Sequence, residues 1–345
     1  MSDLPPPFEL GRPGTELRTQ LVHAVLRGEK TATAGLPGDG VPPPSPGTRH
    51  TLHDVDDEPV AIVEVTEARV VPAGEIDVDF ARDEGEGFES VDDWRRAHEA
   101  FFERELPGDT PIDAVRFRLV ELVVASRYRG PARSGNGGYT CGLAAGLLGG
   151  SDVEVTLRVP PPLDRPLRID GGSLYDGDTL VAEATRSAVE LELPDPRLLP
   201  ALKPAAGTPD PEHPFPNCFT CGPARSDGLG LVPTPVGEGR VAAAWHVRQP
   251  TTERVWAALD CPGAFAVNPG FERGITVLGR LAAHVAEVPR DGEILSVVAW
   301  PLPDGDERRS YAGTCVFRGE QPLAWARATW FAVGDEFRDP LPSRG

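Results

Sequence analysis

Little in this sequence belongs to a membrane, a secretory route or a disulfide scaffold. Its 345 residues include one methionine and only five cysteines, a small, odd number that suits a reducing compartment better than a disulfide framework. No stretch approaches the roughly 20 uninterrupted apolar residues that a bilayer span needs. The opening MSDLPPPFEL has neither a basic n-region nor an apolar h-region, so no signal peptide is expected. A cytoplasmic protein with no membrane partner is the expectation. Phosphate-binding P-loops, the dinucleotide fingerprint, His-Glu-x-x-His and Gly-x-Ser-x-Gly are all missing, and with them the chemistries they support. No cofactor is expected.

Basic charge is also scarce. The net charge is −19, and most of the imbalance lies in residues 1–124, with 26 acidic against 12 basic side chains. Sequence-independent nucleic-acid binding needs a basic footprint that displaces counterions, and this region has the reverse. A nucleotide met here is a small one, or part of a nucleic acid held by another factor. What the chain has in quantity is 38 Pro and 38 Gly. They fall between periodic segments and so read as turns and linkers.

The length predicts two or three domains. Residues 1–124 alternate helix and strand patterns. LRTQLVHAVLRG (17–28) is a helix ending near Gly28, and SVDDWRRAHEAFFERE (90–105) is another, with Ser90 as N-cap and Asp92 and Asp93 in its first turn. TRHTLHDV (48–55), PVAIVEVTEARVVP (59–72) and AVRFRLVELVV (114–124) read as strands. Residues 125–193 open with a Gly-rich turn and a short apolar helix, GYTCGLAAGLL (138–148). Strands DVEVTLRV, PLRIDGG and TLVAEATRSAVELEL follow. A Pro-rich linker covers 194–216. Residues 217–335 repeat the plan: strand RVAAAWHV (240–247), a helix over Thr252–Val267, then strands near 274–288, 293–301, 310–318 and 322–333. Helix followed by antiparallel sheet thus occurs twice, a weak internal repeat.

GEKTATAGL (28–36), DVDDEPVAIVEVTEARVVP (54–72) and FARDEGEGFESVDDWRRAHEAFF (80–102) together resemble the ASCH domain family over about 9–122. That resemblance implies a barrel similar to PUA RNA-binding domains. Some small members are amidohydrolases of N4-acetylcytidine that use a lysine, a threonine three residues on, and a later glutamate. Carried over, these are Lys30, Thr33 and Glu84, with Glu86 as the competing acid. Trp94, Arg95 and His98 belong to the same pattern. A threonine hydroxyl is a poor nucleophile until a neighbouring base takes its proton, and an ammonium can stabilise an oxyanion. The alternative is that Lys30 and Thr33 join a helix to a strand while EGEG is a solvated acidic turn. Trp94 reads as a core anchor, and the role of His98 is open.

GPARSGNGGYTCGLAAGLL (130–148), FPNCFTCGPARSDGLGL (215–231) and VWAALDCPGAFA (255–266) resemble the hotdog thioesterases of the TesB-like and PaaI-like families over about 126–333. In that fold a helix is wrapped by an antiparallel sheet, and thioester sites form where two halves pair. An Asn-Gly-Gly helix start stands at Asn136, Gly137 and Gly138, but eight residues on, where the acid belongs, is Ala144. Asp260 is the acid of the other half, yet eight residues before it is Thr252. Each half has lost what the other keeps, which implies one composite site. In it, Asn136 and the amides following Gly137 and Gly138 hold the thioester oxygen. Asp260 serves as general base or nucleophile. The glycines let the acyl group approach the backbone. A plain turn at Asn-Gly-Gly and an ion-pair carboxylate at Asp260 are the bland counterparts, as is a hotdog that only binds acyl groups.

Cys218-Phe-Thr-Cys221 suggests zinc, but structural zinc commonly takes two such pairs. His213 is close, whereas Cys141, Cys261 and Cys315 are scattered along the chain, so no metal is expected. Trp245, Trp256, Trp300, Trp325 and Trp330 fall on predicted strands and one helix, as core or pocket wall. The expected fold class is α+β, a PUA-like barrel followed by a double hotdog. The expected partner is an acyl-CoA or acyl-carrier thioester, with a nucleoside or RNA as the alternative partner of the ASCH region. Further pairing into a homodimer stays open.

Overall fold

The computed structural model describes residues 4–38, 43–198, 213–272, 274–334 and 337–339. The chain divides into two compact units, Met1–Val123 and Val124–Gly345. Both mix helices with antiparallel sheet. Most of the expected 194–216 linker, residues 199–212, lies outside the described residues. No helix among the described residues is long and apolar enough to cross a membrane.

In the first unit, Thr15 accepts a hydrogen bond from the Arg18 amide and starts α1 (Glu16–Leu26). Gly28 ends it with a φ of 71°, a left-handed turn that costs glycine little. The turn closes when the Lys30 amide donates to the Ala24 carbonyl, so Lys30 sits at the threshold of β1 (Ala32–Gly35). Strands β2 (Arg49–His53) and β3 (Pro59–Pro72) precede α2 (Val78–Asp83) and α3 (Val91–Phe102), and β4 (Pro111–Val123) closes the unit. The strands β2, β3 and β4 pair in that order, and β1 lies along β4 with Thr33 opposite Val115. Two register shifts bend the long β3–β4 ribbon. The core beneath the two middle helices is built on Phe80, Trp94, Leu106 and Ile112. Helix α2 was not expected from the sequence. Its six residues give too short a window for a helical period, and its start is a local cap, Asp77 accepting from the Phe80 amide.

In the second unit, Asn136 caps α4 (Gly137–Gly146). Strands β5 (Asp152–Leu157), β6 (Pro166–Asp170), β7 (Ser173–Asp176) and β8 (Thr179–Arg186) follow. After them come β9 (Thr234–Gly237), β10 (Arg240–His246), α5 (Thr252–Val267), and β11 (Ile275–Val285), β12 (Ile294–Leu302), β13 (Arg309–Arg318) and β14 (Gln321–Val333). Within this unit the strands run β6-β7-β8-β5-β11-β14-β13-β12-β10-β9. Read outward from the β5–β11 junction, β5-β8-β7-β6 is mirrored by β11-β14-β13-β12. The junction pairs Arg280 with Thr156 and Ala283 with Val153. Helix α4 packs on β5 and β8, α5 packs on β10 to β14, and the two helices pack on each other.

Two expectations need correction. The alternation through 187–193 does not make strand, because β8 stops at Arg186. Its partner β5 begins at Asp152, whose carbonyl takes the Ser187 amide, and β5 offers no residue further on for Ala188 onward to pair with. PLRIDGG is not one strand either. Asp170 pairs with Ser173 across Gly171 and Gly172, so the two glycines are a hairpin turn into β7.

Candidate functional sites

Of the residues singled out in the first unit, Lys30, Glu84, Glu86, Trp94 and His98 come together. Lys30 is 1% exposed and Glu84 is 1% exposed, so Glu84 does not belong to a solvated turn, whereas Glu86 and Gly87 after it are exposed. The Lys30 ammonium donates to the Glu84 carbonyl at 3.0 Å, to Glu84 Oε2 at 3.3 Å and to Glu86 Oε1 at 2.7 Å. Both candidate acids therefore meet the lysine, Glu84 from the interior and Glu86 from the partly exposed side. Gly85 makes this possible. A Cβ there would lie 2.5 Å from the Glu29 carbonyl oxygen, and the backbone φ is 66°, so only glycine lets the end of α2 press against the turn that carries Lys30.

Trp94 is the expected core anchor, wholly buried, and its indole N–H also donates to Glu84 Oε1 at 2.7 Å. His98 stacks on Trp94 at 4.4 Å, shares a hydrogen bond with the Trp94 carbonyl and brings Nε2 to 3.5 Å from Glu84 Oε1. Arg95 turns away and donates to the Leu106 and Ala73 carbonyls. Thr33 is half-buried on β1, and among the described residues no hydrogen bond ties it to Lys30 or Glu84. Burial alone pushes the Glu84 carboxyl up, but hydrogen bonding to His98, the Lys30 charge and Trp94 together prevail and hold it below the usual carboxylate range. For His98, burial works against the charged form, and the Glu84 carboxylate outweighs it, raising its pKa.

In the second unit Asp260 stands near the middle of α5, 3% exposed. Its Oδ2 accepts from the Gly138 amide at 2.8 Å, across the α4–α5 contact. Its Oδ1 has no partner. One charge-assisted hydrogen bond supplies about 1.5–3 kcal/mol, less than the several kcal/mol that dehydrating a carboxylate costs. Burial therefore wins, and the Asp260 pKa rises to about 7.

The helices come this close because of α4's glycines. A Cβ on Gly138 would sit 2.5 Å from the Trp256 carbonyl oxygen and from Asp260 Cβ, and one on Gly142 would sit 2.7 Å from Glu253 Cα. The bareness of Gly138 thus serves helix packing: it admits α5, and its amide is already taken by Asp260. Asn136 is likewise engaged: its Oδ1 accepts from the Tyr139 amide, while Nδ2 faces Cys218 Sγ at 3.7 Å and Cys261 Sγ at 3.8 Å. Gly137 remains at the wall of the adjoining space.

That space is a cavity of about 620 Å³ reaching Asp260, Asn136 and Gly137. Leu157, Val277, Leu278, Phe265 and Trp330 contribute apolar wall, and Arg158, Arg280, Arg308 and Arg309 also line it. Cys218, Cys221 and Cys261 border it too. Cys261, which looks scattered in the sequence, stands with the Cys218–Cys221 pair, their sulfurs all within 4.8 Å of one another. The signal was present in the sequence: Cys261 directly follows Asp260. Nothing in a linear spacing of 40 residues, however, shows that the Cys-x-x-Cys loop folds onto α5. The loop is tied there by Thr220, whose hydroxyl donates to the Ala257 carbonyl at 3.1 Å.

Residues 9–121 match the family model of the ASCH domain. No curated protein matches the chain. Among solved structures, it is similar to an ASCH domain from Lactobacillus crispatus JV V101, with 28% identity over 29% of this chain and 69% of that one, at a TM-score of 0.27. It is similar to the E. coli PaaI protein of the phenylacetic acid degradation operon, with 16% identity over 31% and 81% of the two chains, TM-score 0.27. A tesB protein of Mycobacterium avium subs paratuberculosis is 15% identical over 57% of this chain and 86% of that one, TM-score 0.37.

Proposed function

We propose that the second unit is a double hotdog that hydrolyses acyl thioesters, attached to an ASCH domain with a PUA-like barrel. Its first half would be residues 125–193 and its second 217–335. The mirrored strand order about the β5–β11 junction supports the duplication. The observation that carries the activity is Asp260, a buried carboxylate that lines a 620 Å³ cavity and whose Oδ1 makes no direct hydrogen bond. An acyl chain would lie along the apolar wall. The guanidinium groups of Arg158, Arg280, Arg308 and Arg309 suit a carrier rich in phosphate, such as CoA. Asp260 would take a proton from water as it attacks the thioester carbonyl, expelling the thiolate, with Gly138 holding the carboxylate in place. Asn136 would set the start of α4 rather than contact the substrate. Gly137, at the cavity wall, is the glycine of the pair left to face the acyl group.

Hydrolysis of a panel of acyl-CoA thioesters by the full chain, with Asp260→Asn beside it, tests this reading. Turnover that drops at least ~100-fold in the variant is expected. Equal inertness of both proteins on every chain length would remove the enzyme reading and leave an acyl-binding or structural unit.

A second reading is kept because of the buried Lys30–Glu84 pair. A buried ion pair is a poor source of stability, so its presence at the ASCH positions is consistent with recognition or hydrolysis of a modified nucleoside by Lys30, Thr33 and Glu84. Release of acetate from N4-acetylcytidine, lost in Lys30→Met, is the assay for it.

A further inference from the structure

We infer that Cys218, Cys221 and Cys261 form a three-thiolate site for a soft divalent cation, zinc in the first place, whose fourth coordination position opens to the cavity. The three sulfurs converge from two elements, the Cys-x-x-Cys loop and the middle of α5, and lie within 4.8 Å of one another. Cys218 Sγ and Cys261 Sγ are 3.6 Å apart. Two thiolates on a tetrahedral zinc, each about 2.3 Å from the metal, stand about 3.8 Å apart. A disulfide would need the same pair to close to about 2.05 Å. The spacing is therefore that of co-ligands.

N–H groups point at two of the three sulfurs. Cys218 Sγ accepts from the backbone amides of Thr220 and Cys221, and the Asn136 side-chain amide is aimed at both Cys218 and Cys261. Such N–H donors to the ligating atoms are the outer contacts that orient and stabilise metal thiolates. The loop is also built to hold its shape. A Cβ on Gly222 would lie 2.4 Å from the Cys218 nitrogen, and one on Gly228 would lie 2.3 Å from the Phe219 carbonyl oxygen. All three cysteines border the cavity. Three ligands with an open fourth position are the arrangement of a zinc site that exchanges a small ligand, in contrast to the closed four-ligand sites that only stabilise a fold. Softness of the donors selects zinc over magnesium or calcium. The inference does not depend on the thioesterase reading.

The test is metal analysis of the untagged full-length chain, purified from zinc-supplemented cells under reductant and without chelator. About one zinc per chain is expected, falling roughly tenfold or more in Cys221→Ser and Cys261→Ser. It should be unchanged in Cys315→Ala, since Cys315 packs elsewhere with Ala242, Val298 and Phe317. Cobalt(II) in place of zinc should give a thiolate-to-metal charge-transfer band and the visible bands of a tetrahedral site. Folded wild-type protein with almost no zinc and no cobalt–thiolate band would overturn the inference. So would a Cys218–Cys261 disulfide found by mass spectrometry in protein kept reduced, which would assign the cluster to thiol–disulfide chemistry.

Discussion

Glu84 and Asp260 are both buried carboxylates, and their surroundings treat them in opposite ways. Glu84 is met by Lys30, Trp94 and His98, and these partners outweigh the cost of burial. Asp260 is supported by the Gly138 amide on Oδ2 and by the neighbouring Asn136 amide, and burial, aided by the Cys218 sulfur, outweighs both, so its pKa climbs to about 7. A carboxylate whose valences are filled holds a structure together or presents a fixed charge. One left half-satisfied beside a cavity has capacity for a further proton, water or ligand. The difference is between a fully partnered cluster in the first unit and a half-satisfied carboxylate in the second, the group to which the proposed chemistry is given.

Substitution should expose that contrast. Glu84→Gln keeps a hydrogen-bond acceptor for Trp94 but leaves Lys30 with Glu86 as its one carboxylate partner, and a loss of about 2 kcal/mol is expected. A lower denaturant midpoint at unchanged slope is the readout. Asp260→Asn removes a charge that burial disfavours and keeps the acceptor for the Gly138 amide, so no loss of stability is expected. A destabilised Asp260→Asn beside an unaffected Glu84→Gln would reverse the comparison.

Gly138→Ala comes next, at about 2 kcal/mol, because its Cβ meets backbone of α5 that cannot yield. Gly137→Ala should cost less, about 1 kcal/mol, since its Cβ meets the Leu278 side chain, which can turn aside. Thermal melts of the two variants order them, and equal losses would mean that the helix crossing is not the tight contact.

The smallest effect is a pH dependence in the first unit. The folded pKa of His98 is raised, so its pairing with Glu84 contributes fully below about 6.5 and is lost as pH climbs through the folded value. The folded pKa of Glu84 is lowered, so its share is present above about 4.3 and lost as pH falls through the folded value. Together the pair stabilises most between about pH 4.3 and 6.5. NMR titration of the His98 ring should give a midpoint above that of a free histidine, and a midpoint below it would contradict the Glu84 contact.

Much of this was legible in the sequence. Ser90 caps α3 as expected, and the six strand and helix segments from Arg240 to Val333 fall within a few residues of their periodic patterns. The meeting of Lys30 with both Glu84 and Glu86 follows the order of the ASCH-like blocks. What the pattern could not give is contact made by missing atoms. Gly85 and Gly138 matter through the backbone they let approach, from positions 56 and 118 residues distant in the Glu29–Gly85 and Gly138–Trp256 pairs, and no periodicity encodes a partner that far along the chain. The same holds for Cys261, brought to Cys218 by the packing of a loop on a helix. The strand expected over 187–193 failed for a related reason, since alternation reports a face and not whether a neighbouring strand extends far enough to pair.

The most direct test sets the two carboxylates against each other in one assay. Acyl-CoA turnover is measured for the wild-type chain, Asp260→Asn and Glu84→Gln, each checked for folding by circular dichroism. Turnover lost in Asp260→Asn and retained in Glu84→Gln is the expected result. Turnover that survives Asp260→Asn, or that disappears with Glu84→Gln in a folded protein, would contradict the assignment of the chemistry to the second unit's cavity.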